Sequence, residues 1–98
     1  MGISAVGSLQ ENIEPLDMVI PNQIIDNTNG RSNTFFGNGL VAHVSMADPF
    51  CTVMSKRISD LIKTMEINHH TEKTLVVIEG PHFSTYAESH MYRKWGGD

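Results

Sequence analysis

Phe83 and Ser84 stand side by side just after Glu79-Gly80-Pro81, where the apolar run Leu75-Val76-Val77-Ile78 stops. Four consecutive apolar residues, three of them β-branched, read as a strand covered on both faces, and Gly80 and Pro81 favour that reading over a buried helix. An aromatic ring and a hydroxyl at the carboxyl end of such a strand lie where open α/β sheets keep their ligand crevices, so the pair reads as the wall of a pocket. The chemistry is that of binding. No Ser-His-Asp or Cys-His arrangement supports a nucleophile, and Cys51 beside Phe50 reads as a small buried residue with no activator for its thiol.

Five histidines are many for 98 residues, and they prompt a search for metal ligands. His69 and His70 are adjacent, which points their side chains apart on any regular element. His82 and His90 have no carboxylate placed as in the H-E-x-x-H motif, so no metal site is expected. His43, alone in an apolar run, reads as a core or interface residue. From the residues alone Phe83 is equally core packing and Ser84 a helix cap.

The elements that must position these residues follow from the pattern around them. Thr85 and Glu88 have the spacing of a capping box, which opens a helix whose apolar face is Phe83, Ala87, Met91 and Trp95. Upstream, Asp48-Pro49 supplies a cap and first residue for another helix, with Met54, Ile58, Leu61, Ile62 and Met65 on one face and Lys56, Ser59, Asp60 and Lys63 on the other. Ile3–Val6, Met18–Ile25 and Leu40–Val44 read as extended segments, the second bent or placed at an edge by Pro21. Asp26–Asn38 is a long surface loop rich in turn signals, and Asn68-His69-His70 begins a polar loop before the buried strand. The order strand, strand, strand, helix, strand, helix predicts an α/β layer.

Composition narrows the class. A hydrophobic content of 40% in 98 residues supports one modest domain. Seven basic against eleven acidic residues give a net charge of −4, and the scattered basic residues form no nucleic-acid stripe. A single cysteine excludes an internal disulfide framework, and no apolar stretch approaches the ~18 residues of a membrane span. The first residues lack the pattern of a secretory signal, so a reduced, cytoplasmic compartment is expected, with the nucleus as the other candidate. Neither end reads as a domain edge, so residues 1–98 are expected to form a single partial domain.

Several segments together carry a resemblance. Ser4-Ala5-Val6-Gly7-Ser8-Leu9, Ile13-Glu14-Pro15 with Asp17, His43 through Cys51, Glu79 through Ser84, Ala87-Glu88-Ser89 and Arg93-Lys94-Trp95-Gly96 follow one another in the order and spacing of the S-methyl-5'-thioadenosine phosphorylase family. This is the trimeric branch of the purine nucleoside phosphorylases, and the chain resembles its central portion. The resemblance implies part of a nucleoside phosphorylase-like mixed β-sheet with flanking helices. It also implies a pentosyltransferase in which inorganic phosphate, the co-substrate, attacks C1' of a purine nucleoside and the base departs, with no other cofactor. The products from methylthioadenosine would be adenine and 5-methylthioribose 1-phosphate, a reaction of purine and methionine salvage.

Residue by residue, the resemblance places phosphate at the Ser4 hydroxyl and amide and at the Ala5 amide. Val6 and Gly7 would lie against the purine, where glycine admits close approach to the backbone. Phe83 would pack on ribose and base. Ser84 stands where the oxopurine branch has a glutamate, and so favours 6-amino substrates. His43 matches a histidine lent by a neighbouring subunit to the 5' end of the pocket, which implies a homotrimer. The family's glycine-rich phosphate loop, its arginine-histidine pair and the aspartates that protonate the purine match nothing in this chain, so no catalytic residue is assigned. Two other readings stay open: an inactive fragment or paralogue serving as an oligomerisation or binding module, and a purine nucleoside phosphorylase of broader specificity.

Overall fold

Two long strands lie parallel, and a helix stands on the crossover between them. The computed structural model describes all 98 residues, with β1 at Met18–Asn27, α1 at Thr52–Thr64, β2 at His69–Ile78 and α2 at Tyr86–Lys94. Parallel strands need a long connection, and residues 28–68, containing α1, provide it. The α/β class expected from the element order is the one formed.

Pro21 shapes the ladder as its missing N–H requires. Pairing runs from Met18↔His69 to Ile20↔Thr71, skips Glu72 to reach Pro21↔Lys73, then skips Asn22 to resume at Gln23↔Thr74 and continue to Asn27↔Ile78. Each irregularity inserts one residue, on opposite strands, and the two cancel. Glu72 takes a left-handed conformation, φ 57°, to make the first. The second half of each strand therefore recovers the register of the first, and both strands end level at Asn27 and Ile78.

Several sequence expectations are corrected. Ile3–Val6 and Leu40–Val44 form no strand and lie exposed, because nothing runs beside them to take up their backbone hydrogen bonds. His69 to Lys73 are strand, not loop: pairing with β1 overrides their polar character. Leu75–Ile78 are half-buried instead of covered on both faces, since the helices and loops shield the sheet only in part.

Helix α1 begins at Thr52, with Cys51 as a cap that makes no side-chain hydrogen bond. Asp48 and Pro49 stay outside it because residues 47–50 dock on the bulged part of β1, where Gln23 Nε2 donates to the Ala47 carbonyl at 3.0 Å. Cys51 is consequently exposed, not buried. The helix buries Ser59 and Ile62, while Leu61 is 62% exposed and Met54 and Met65 lie open. Ser59, expected on the solvent side, turns inward because its Oγ meets His69 Nε2 at 3.1 Å.

Helix α2 has the expected capping box, with Glu88 N donating to Thr85 Oγ1 at 3.2 Å and Thr85 N to Glu88 Oε2 at 2.6 Å. Its inner face is different. Tyr92 is buried to 5% exposure, whereas Ala87, Met91 and Trp95 lie outside. The Tyr92 hydroxyl accepts from Asn27 Nδ2 at 3.0 Å, and its ring meets Trp95 edge-on. This anchoring to β1 outweighs a more apolar but unmatched stripe. Gly97 then passes so close to β2 that a Cβ there would meet Val76 Cγ2 at 2.7 Å. That approach lets the Asp98 carboxylate accept from Thr74 N at 2.9 Å and Lys73 Nζ at 3.2 Å.

Asp17 fixes the other end of the sheet. Its Oδ2 meets His70 Nε2 at 2.8 Å and accepts from Glu14 N at 3.0 Å. The hydrogen bond from His70, then that from the Glu14 amide, holds the Asp17 carboxyl below the usual aspartate value. A carboxyl depressed in the folded state contributes stability above its unfolded pKa and loses it as pH falls through the folded value. Denaturant titrations are expected to show stability falling as pH drops below about 4. In Asp17→Asn this slope should be shallower; an unchanged slope would remove Asp17 as its source.

Candidate functional site

The level ends of β1 and β2 open into a cleft of about 170 Å³ beneath the first turn of α2. Asn27 comes from β1, Ile78 from β2, Glu79, Gly80, His82 and Ser84 from the following turn, and Glu88 and Tyr92 from α2. The turn needs its glycine: Gly80 has φ 74°, a conformation that residues with a Cβ avoid. Glu79 ties the opposite rim in place. Its Oε2 accepts from the amides of Asn29 and Gly30, the latter at 3.0 Å, and Arg31 Nη2 donates to the Glu79 carbonyl at 3.0 Å.

The two acids of the cleft are already engaged. The Gly30 and Asn29 amides hold Glu79 below the ordinary glutamate value, and the Thr85 amide and hydroxyl do the same for Glu88. Both are charged acceptors fixed by backbone donors, and neither is poised to give up a proton at neutral pH. His82 is also occupied, with Nδ1 2.8 Å from the Phe83 carbonyl. Ser84 Oγ has one partner, Ser89 Oγ at 2.8 Å. The cleft is thus suited to recognising a polar edge.

Among the residues expected from the sequence, Ser84 lines this cleft, whereas its neighbour Phe83 is 92% exposed and does not, so the pair does not form one pocket wall. Ser4, Ala5, Val6 and Gly7 lie in an exposed segment without helix or strand, and His43 is exposed in the crossover. Neither of the two main clefts contains any of these five or Phe83. Asn27, His82, Glu88 and Tyr92 were not singled out as lining residues. For Glu88 and Tyr92 a signal existed: with Thr85 they follow helical spacing, but the Ala87-Met91-Trp95 stripe is more apolar and drew the assignment. A second cleft of about 320 Å³ lies between α1 and the bulges, lined mostly by polar side chains. No three His, Cys, Asp or Glu side chains gather as metal ligands, and no helix is long and apolar enough to cross a membrane.

A strand-end cleft under a capped helix defines a crevice of the open α/β type, and its chain matches the model of the phosphorylase superfamily over residues 1–98. The chain belongs to that superfamily. Within it, the similarity is to S-methyl-5'-thioadenosine phosphorylases: 49% identity to that of Thermosynechococcus vestitus, over 99% of this chain and 35% of the relative. The Fusarium vanettenii protein of the same name is 52% identical over 99% of this chain and 33% of its own length. The crystal structure of a methylthioadenosine phosphorylase from an antarctic soil metagenomic library superimposes with a TM-score of 0.86 at 54% identity, covering 94% of this chain and 33% of that one. The Schistosoma mansoni methylthioadenosine phosphorylase in complex with adenine gives 0.86 at 34% identity, covering 94% and 41%. The chain therefore forms part of a nucleoside phosphorylase-like fold, as the resemblance implied. The chain spans about a third of the length of the curated relatives it matches.

Proposed function

We propose that this chain supplies the central part of an S-methyl-5'-thioadenosine phosphorylase, acting on a 6-amino purine nucleoside and inorganic phosphate. The observation that carries the reading is Ser84: it lines the strand-end cleft with a hydroxyl that has one protein partner, Ser89, and capacity for a ligand, in a chain about half identical to such phosphorylases. Phosphorolysis passes through a sugar with oxocarbenium character, so the task is to hold an anion beneath C1' and support the leaving base. No covalent enzyme intermediate is required. The Ser4 hydroxyl and the Ser4 and Ala5 amides take the phosphate, Val6 and Gly7 meet the purine, Phe83 packs on ribose and base, and Ser84 reads the base edge.

The exposure of Ser4–Gly7, His43 and Phe83 supports a site completed by surfaces other than those of this chain. We assign His43 to the 5' pocket of a neighbouring subunit, which makes a homotrimer the working assembly, in the cytoplasm or nucleus. The test is phosphate-dependent release of adenine from methylthioadenosine by the full chain with its flanking sequence. Turnover that stops without phosphate is expected. Hydrolysis independent of phosphate, or no cleavage, would reject the assignment.

A further inference from the structure

Beyond the base-reading role of Ser84, we infer that Ser89 is a positioning residue that sets which way the Ser84 hydroxyl points its proton, and so selects the purine. The inference rests on the phosphorylase reading above. The two Oγ atoms are 2.8 Å apart, each is the other's only side-chain partner, and either can donate. One bond between two hydroxyls consumes one proton and leaves one free. Ser84 lines the cleft and Ser89 does not. If Ser84 donated, the Ser89 proton would have no other protein acceptor, whereas donation by Ser89 satisfies that group and leaves the free proton on Ser84, the one of the two that lines the cleft. Ser84 then enters the cleft as a donor. A donor matches the unprotonated N1 of a 6-aminopurine and opposes the N1–H of a 6-oxopurine. The first turn of α2 holds Ser89 in place, since its amide donates to the Thr85 carbonyl at 2.9 Å.

Without the Ser89 hydroxyl, Ser84 can rotate to accept as readily as donate, and the discrimination weakens. The test is calorimetric binding of adenine and of hypoxanthine to the full chain and to Ser89→Ala and Ser89→Thr. Wild-type protein should prefer adenine, Ser89→Ala should lower the adenine-to-hypoxanthine affinity ratio by about tenfold, and Ser89→Thr should keep it. Adenine preference in the wild type with an unchanged ratio in Ser89→Ala overturns the relay alone. So does a loss in Ser89→Thr equal to that in Ser89→Ala, or a wild-type preference for hypoxanthine. Wild-type protein that binds neither base overturns both the relay and the nucleoside reading.

Discussion

Ser84→Glu in the full chain is expected to turn substrate preference from methylthioadenosine toward inosine and guanosine, shifting the ratio of kcat/KM values by about a hundredfold. A carboxylate accepts from the N1–H of a 6-oxopurine but faces the lone pair of an adenine N1, so the change gains one partner and repels the other. Specificity built on a hydrogen bond is steep because the wrong ligand leaves a buried polar group unpaired. Glu79 and Glu88 line the same cleft as charged acceptors held by backbone amides, so the added carboxylate enters beside like charge, and the gain at an oxopurine N1–H has to exceed that repulsion. Steady-state kinetics with the three nucleosides reads the result. Equal ratios in variant and wild type would take Ser84 out of base recognition.

The 98 residues expressed alone are expected to release adenine from methylthioadenosine at less than about a thousandth of the full chain's rate. The physical ground is exposure. Phe83, 92% exposed, can stack on a base only with water on its other side, and Ser4–Gly7 present their amides to solvent. Fixed dipoles stabilise a developing charge when water is excluded and lose most of that effect in high dielectric. Glu79 and Glu88 are bound to backbone donors, so neither supplies a proton to the departing base. Chromatographic assay of adenine with and without phosphate measures the rate. Turnover by the 98-residue chain comparable to that of the full chain would mean that these residues carry a complete site.

How much was legible in the sequence varies with how local the cause is. The capping box at Thr85 and Glu88, the bend at Pro21 and the turn at Glu79-Gly80-Pro81 each arise from one residue's donors, acceptors or allowed φ, and each is present. Of the aromatic ring and hydroxyl expected side by side at the strand end, Ser84 lines the cleft and Phe83 stays exposed. The helix faces did not follow. Apolar periodicity put Met54, Leu61, Ile62 and Met65 on the inside of α1 and Met91 and Trp95 on the inside of α2; of these only Ile62 is buried, and the other buried residues of the two helices are Ser59 and Tyr92. Ser59 and Tyr92 turn inward to a hydrogen-bonding partner on another element, His69 ten residues on and Asn27 65 residues back.

Strand assignment divides in the same way. Leu40–Val44 has the apolar character of a strand and forms none, whereas His69–Lys73 is polar and pairs with β1. A ladder is a property of two segments, and its hydrogen bonds reward whichever residues find a neighbour. By itself, then, the sequence determined the family, through the order and spacing of its segments, and the cap of α2 and the turn at Glu79-Gly80-Pro81, which depend on contiguous residues. The Asp48 cap expected for α1 did not form. Only the tertiary structure decided which helix faces turn inward, that Ser89 lies beside Ser84, and that Asn27 and Tyr92 close the cleft. Those arrangements depend on side-chain contacts that apolar periodicity does not encode, between residues five positions apart for Ser84 and Ser89, ten for Ser59 and His69, and 65 for Asn27 and Tyr92.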